Sequence, residues 1–153
     1  MSLLTLFEAL GNSTPGLFLR HSTLAFALTE TVHLLALSLL GGIVAAVGLS
    51  SAGIVIRPDW ARDLADALRR LFFVALVVVV LSGVGLVAAG PYKYYTNPVF
   101  WVKLTLLGVA FIAYLLLDRR LKGASSTGLL FSGIGVVALW LSVAIAGRAI
   151  GLI

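Results

Sequence analysis

The chain has 153 residues, 61% of them hydrophobic and only 11% charged, with a formal net charge of +5. A soluble domain of this size would be about half apolar and about a quarter charged, and so short a chain has too little interior to hide the excess. Lipid removes the conflict, so the composition points to an integral membrane protein and away from a soluble one.

The chain contains no cysteine and a single methionine. Disulfides, thiolate metal sites and thiol catalysis are therefore excluded, and soft-metal handling is disfavoured. The basic residues lie between apolar stretches rather than on a face of their own. They are topology signals and give no support to nucleic-acid binding.

Along the chain, residues 1–20 form a small element. Leu3, Leu6, Phe7 and Leu10 recur at helical spacing, and the run Gly11-Asn12-Ser13-Thr14-Pro15-Gly16 breaks the pattern. Too short to cross a bilayer, this piece is expected to lie in the interface, or else to cap the mouth of the bundle. It lacks the basic start of a cleavable signal peptide and carries Glu8, so it is expected to stay on the mature protein.

Four apolar stretches follow, at about 24–49, 71–89, 99–117 and 129–150, each near the ~20 residues that cross about 30 Å of hydrocarbon. Backbone groups in lipid must be satisfied within their own segment, which makes each a helix. Asn97-Pro98 supplies an N-cap and a first-turn proline for the third span. Arg57-Pro58-Asp59 starts a wet helix that runs into the second span, with Arg62, Asp66 and Arg70 spaced four apart for surface pairing. The connections are short. The expected fold is all-α: one domain, residues 1–153, built as a four-transmembrane-helix up-down bundle with a short N-terminal interfacial helix.

Orientation follows from the basic residues. Arg57, Arg62, Arg69, Arg70, Arg119, Arg120 and Lys122 fall on one side, and Arg20, Lys93, Lys103 and Arg148 on the other. The positive-inside rule then places both termini on the non-cytoplasmic side of a bacterial inner membrane. Tyr92, Tyr94, Tyr95 and Trp101 form the aromatic belt of that outer side, and Trp60 anchors the inner one.

Ionisable residues inside spans are costly and are candidates for function. Glu30 and His33 lie within the first span, three residues apart and so about 4.5 Å apart along one side of a helix. Lys103 stands about one and a half turns into the third span, and Arg148 near the end of the fourth. All four belong to the outer half, where they would share one polar chamber if their helices face each other. Otherwise Lys103 and Arg148 snorkel to the headgroups, and His33 is a neutral histidine bonded across helices.

A histidine inside a four-helix bundle suits the iron of haem b, with Lys103 and Arg148 on the propionates. The other histidine, His21, precedes it by about twelve residues, about 18 Å along a helix and about 120° around it. One helix therefore cannot offer both to one iron. A five-coordinate haem, a haem shared across a dimer, or a quinone held by His33 and Glu30 remain as readings. Small residues at Ala138, Ser142 and Ala146, at Gly41 to Gly48, and at Ser82, Gly83 and Gly85 mark helix contact faces. The chain has no catalytic motif, which points away from an enzyme acting by itself.

Glu30-Thr31-Val32-His33, Asn97-Pro98-Val99-Phe100-Trp101-Val102-Lys103 and Ala146-Gly147-Arg148 together resemble an uncharacterised bacterial family of four-span inner-membrane proteins. The early histidine helix is also distantly similar to copper-resistance D type membrane proteins, though the methionines and cysteines of copper handling are missing. The resemblance implies the four-span fold and the choice of Glu30, His33, Lys103 and Arg148 as site residues. The expected function is a haem- or quinone-binding membrane redox subunit in the lipid bilayer, working as a homo-oligomer or with an outer-side redox partner. A small transporter or proton-coupled carrier, or a non-catalytic anchor or assembly partner, are the alternatives.

Overall fold

The structure, a computed structural model, describes residues 2–55, 58–121 and 126–150. The described residues form helices only: α1 (Leu3–Gly11), α2 (Thr14–His21), α3 (Thr23–Ser51), α4 (Pro58–Ala89), α5 (Pro91–Thr96), α6 (Pro98–Arg120) and α7 (Ser126–Ala149). Four of these, α3, α4, α6 and α7, are long and apolar enough to cross a membrane. The four-span bundle expected from the hydropathy pattern is the architecture observed. Lys122 lies outside the described residues, as does Arg57.

Helix starts follow local chemistry. Ser2, Ser13 and Ser22 each cap a helix by accepting a backbone N–H three residues on, which satisfies one of the donors a helix leaves open at its start. Asn97 caps α6 by accepting from the Val99 N–H at 2.9 Å, ahead of Pro98 in the first turn. At the far end of α3 the chain reverses through Gly53, whose φ of +72° is a left-handed conformation that a side chain disfavours. The N–H groups of Gly53 and Ile54 bond back to the carbonyls of Ser50 and Leu49.

Two short helices were hidden in the sequence. Asn12-Ser13 alone separates α1 from α2, because Pro15 and Gly16 fit a first helical turn once Ser13 caps it. The tyrosine-rich stretch 91–96 is the helix α5, opened by Pro91. Residues 3–21 pack on α4 and α5 as a cap over one end of the bundle. Phe7 on α1 anchors this cap, with its ring 5.5 Å from Tyr95 and 5.9 Å from Trp101.

Within the bundle α3 packs along both α4 and α7, and α6 packs along α7. The α3–α7 crossing is tight because glycine meets glycine: a Cβ on Gly48 would lie 2.9 Å from the Gly133 carbonyl oxygen. The seam between α4 and α6 is closed by larger groups. Phe72 stacks on Tyr114 with centroids 4.3 Å apart, and Arg69 bonds both Asp66 at 2.6 Å and Asp118 at 3.3 Å. Arg62 also reaches Asp66, at 3.9 Å.

The apolar core, with Leu40, Val44, Val47, Phe72, Leu117 and Val143 nearly inaccessible, fills the half of the bundle away from the cap. Of the buried polar residues, His33, Ser82 and Asn97 belong to the half under the cap, and Ser50 and Ser51, each bonded to a carbonyl of its own helix, to the opposite end. The imidazole of His33, bonded across to another helix, positions the candidate site in the capped half.

Candidate functional site

His33 lies about 15 Å along α3 from its start at Thr23, and 92% of its surface is covered, since 8% stays accessible. Its Nδ1 is 2.9 Å from the Ser82 hydroxyl on α4. That hydroxyl is also 2.6 Å from the carbonyl of Val78. A serine has one proton to give, and the shorter contact to a carbonyl takes it. The Ser82 oxygen is then left to accept, so Nδ1 carries the ring proton and donates it. This assigns the tautomer from the network rather than from an observed hydrogen. Nε2 is left with its lone pair free, and among the described residues it has no hydrogen-bond partner.

Glycine makes room for the ring. A Cβ at Gly83 would sit 3.2 Å from Cε1 of His33, so the imidazole lies directly over the α4 backbone. Two residues further along α4, Gly85 lies against Leu19 and Thr29 in the same way. The sequence marks Ser82 and Gly83 as a packing face, and the structure gives them the further task of fixing the imidazole. The available signal was a hydroxyl beside a glycine inside an otherwise apolar run.

Lys103 extends from α6 toward α7, and a Cβ on Gly147 would lie 3.4 Å from both its Cε and its Nζ. The end of the lysine thus lies alongside Gly147, at a distance that an added methyl would meet as ordinary contact. The ammonium is near enough for its charge to act on the His33 ring. Half-buried, Lys103 has no carboxylate within ion-pair distance among the described residues. His33, Ser82, Lys103 and Gly147 therefore bring four separate spans to one level of the bundle.

Glu30 and Arg148 stand apart from this inner group, and both are exposed. Gly48 faces α7, and Glu30 precedes it by about five full helical turns, so it lies on the same side of α3. Arg148 follows Val137, which also touches that seam, by about three turns. The two opposite charges flank the capped end of the α3–α7 seam. They form no ion pair with each other among the described residues. Tyr94 on α5, packed against Phe100, sits where the Glu30 charge reaches it. Burial first, and that negative charge second, push its hydroxyl above the ordinary phenol value. Tyr94 therefore stays protonated, a hydrogen-bond donor, well past neutral pH. The sequence treats it only as part of an aromatic belt.

One buried donor is unsatisfied: Nε1 of Trp140, on α7, has no partner among the described residues. Trp140 lies two turns from Gly147 on the same side of the helix, toward the apolar half. An orphan N–H in such surroundings costs about 1–3 kcal/mol. The Trp140→Phe variant is thus expected to melt at the wild-type temperature or above it. A lower melting temperature would mean that the N–H is bonded to a water or ligand in the working protein.

Among the described residues no group of three or more His, Cys, Asp and Glu could hold a metal ion. His33 offers a lone imidazole nitrogen, which suits an axial haem position and not a multidentate protein metal site. A family model matches residues 16–153, all of the bundle and the greater part of α2. The chain belongs to DUF6644, a family of unknown function. No curated protein and no solved structure matches it, and the distant likeness to copper-resistance D proteins gains no support. Membership fits the uncharacterised four-span family anticipated from the Glu-x-x-His, Asn-Pro-x-Phe-x-x-Lys and Ala-Gly-Arg segments, and it carries no activity with it.

Proposed function

We propose that this small membrane protein is a quinone-binding redox subunit whose ligand headgroup sits between Lys103 and His33. The observation that carries the reading is a half-buried lysine within a span that has no carboxylate partner among the described residues, on the same level as a histidine held through Nδ1 by Ser82. An ammonium inside a span costs about 2.5–3.5 kcal/mol even on insertion scales. Such a cost calls for an electron-rich oxygen nearby. A quinone carbonyl supplies one to Lys103, and a quinol hydroxyl finds a proton acceptor in Nε2 of His33. Oxidation of one quinol releases two protons and two electrons. Nε2 takes the first proton and the second leaves to water at the capped face, while the two electrons pass one at a time to two equivalents of a one-electron carrier there, on the side that the positive-inside rule favours as non-cytoplasmic.

Continuity of the spans also favours this reading over a carrier. Each is an unbroken helix over its described residues, without the mid-span interruption that forms transporter sites. A haem is the second reading, favoured by one feature: a ring N–H fixed by a hydrogen bond with the other nitrogen free is how an axial histidine is oriented.

Spectroscopy and extraction separate the two. Protein purified in mild detergent is expected to be colourless in the Soret region and to yield extractable quinone. The His33→Asn variant, which keeps a donor for Ser82 but loses Nε2, is expected to copurify at least about tenfold less. A Soret band lost in that variant would replace quinone by haem. A colourless protein with no extractable quinone would end both readings.

A further inference from the structure

Away from the His33–Lys103 level, a cavity of about 320 Å³ opens at the capped end, lined by Glu8, Asn12, Arg20, Pro91, Tyr92 and Lys93 among others. We propose that it binds the phosphoethanolamine headgroup of a membrane phospholipid, with Arg20 and Lys93 on the phosphate and Glu8 on the ammonium.

Three features carry this. The first is level: Gly90 to Lys93 follow directly on the end of the α4 span, where Arg20 bonds the Ala89 carbonyl, and the exposed ring of Tyr92 is a side chain suited to a headgroup interface. The second is the charge pattern. Two cations and a carboxylate face one cavity, yet none of the three forms an ion pair with another among the described residues. Opposite charges left unpaired around a shared space match a dipolar ligand better than a simple anion.

The third is construction. Arg20 is aimed by two backbone carbonyls: its Nε donates to Ala89 at 3.2 Å, and Nη2 to Gly11 at 3.4 Å. Those bonds satisfy carbonyls at the ends of α4 and α1 and leave Nη1 without a partner among the described residues. Gly11 allows the arrangement, since a Cβ there would lie 2.5 Å from Pro91 Cγ and 3.0 Å from the Arg20 guanidinium. The wall of the cavity is thus held in place before a ligand arrives, which lowers the cost of binding.

The chemistry sets a selectivity. Phosphatidylcholine has no N–H to give Glu8, and phosphatidylglycerol presents no cation to it. Native mass spectrometry of the full chain with equimolar phosphatidylethanolamine, phosphatidylcholine and phosphatidylglycerol reads the preference directly. One phosphatidylethanolamine adduct is expected, several-fold above the other two. Glu8→Gln should bring phosphatidylglycerol level with it, and Lys93→Gln should cut the adduct at least threefold. Both residues are exposed, so unchanged melting temperatures check that the variants are folded. Equal adducts of the three lipids, or a preference untouched in both variants, would overturn the proposal. So would displacement by free phosphoethanolamine at equal concentration, which would assign the cavity to a soluble ligand. None of these outcomes depends on whether a quinone binds at Lys103.

Discussion

Gly133→Ala is expected to lower the melting temperature of the detergent-solubilised protein by several degrees, the largest loss of stability among single-methyl changes in the spans. The added Cβ would collide with the Gly48 carbonyl oxygen and the Ser51 hydroxyl. Both belong to the α3 backbone or to a side chain already bonded to it, since Ser51 donates to the Gly48 carbonyl at 2.7 Å. Neither can step aside, so the two helices must separate. Overpacking a well-fitted contact costs about 1–3 kcal/mol, and here it also loosens the crossing that sets the distance between α3 and α7.

Gly135, two residues further along, is the control: a Cβ there meets nothing within 4 Å. Gly135→Ala is expected to leave stability unchanged or slightly raised, because alanine favours the helix by about 1 kcal/mol. Thermal melts of the two variants side by side check the packing. If both lose stability alike, the close α3–α7 approach is not what holds the bundle.

The second large effect falls on Lys103, with opposite signs for stability and binding. Lys103→Met keeps the length of the side chain beside Gly147 and removes an ammonium that has no counter-charge among the described residues. The ligand-free protein is therefore expected to melt several degrees higher, because an unpaired charge out of water is strongly unfavourable. Quinone retention is expected to fall by at least about tenfold, since the donor to the carbonyl is gone. A lysine that only snorkels to the headgroups predicts neither result: its charge is solvated already, and its loss would leave melting and ligand content nearly unchanged. Thermal melts and quinone extraction on the same preparations decide between the two.

The sequence made the long helices legible because lipid imposes one rule throughout: about twenty apolar residues, with every backbone group satisfied within the segment. Asn97-Pro98 announced its helix in the same direct way. Less legible was anything that depends on which faces meet. Glu30 and His33 are three residues apart, and adjacency on one helix suggested a pair. Yet the turn between them is enough to put His33 against Ser82 while Glu30 stays exposed.

Lys103 lies against Gly147 across the α6–α7 seam, and that meeting is a relation between two helices that no linear pattern contains. The short helices α2 and α5 were missed for a different reason. Proline and glycine read as breakers, although at the first turn of a capped helix they are well placed. Gly133 gave no local sign at all, since its role lies wholly in Gly48 across the seam.

A quinone headgroup at the level shared by His33, Lys103 and Gly147 would be reached by photolabelling in membranes with an azidoquinone, followed by peptide mapping. Label is expected to concentrate on the segments of α3, α4, α6 and α7 around His33, Gly83, Lys103 and Gly147. That label should be displaced by excess decylubiquinone and largely lost in Lys103→Met. Label spread along the lipid-facing surfaces of the spans, undisturbed by competitor and by that substitution, would contradict that placement.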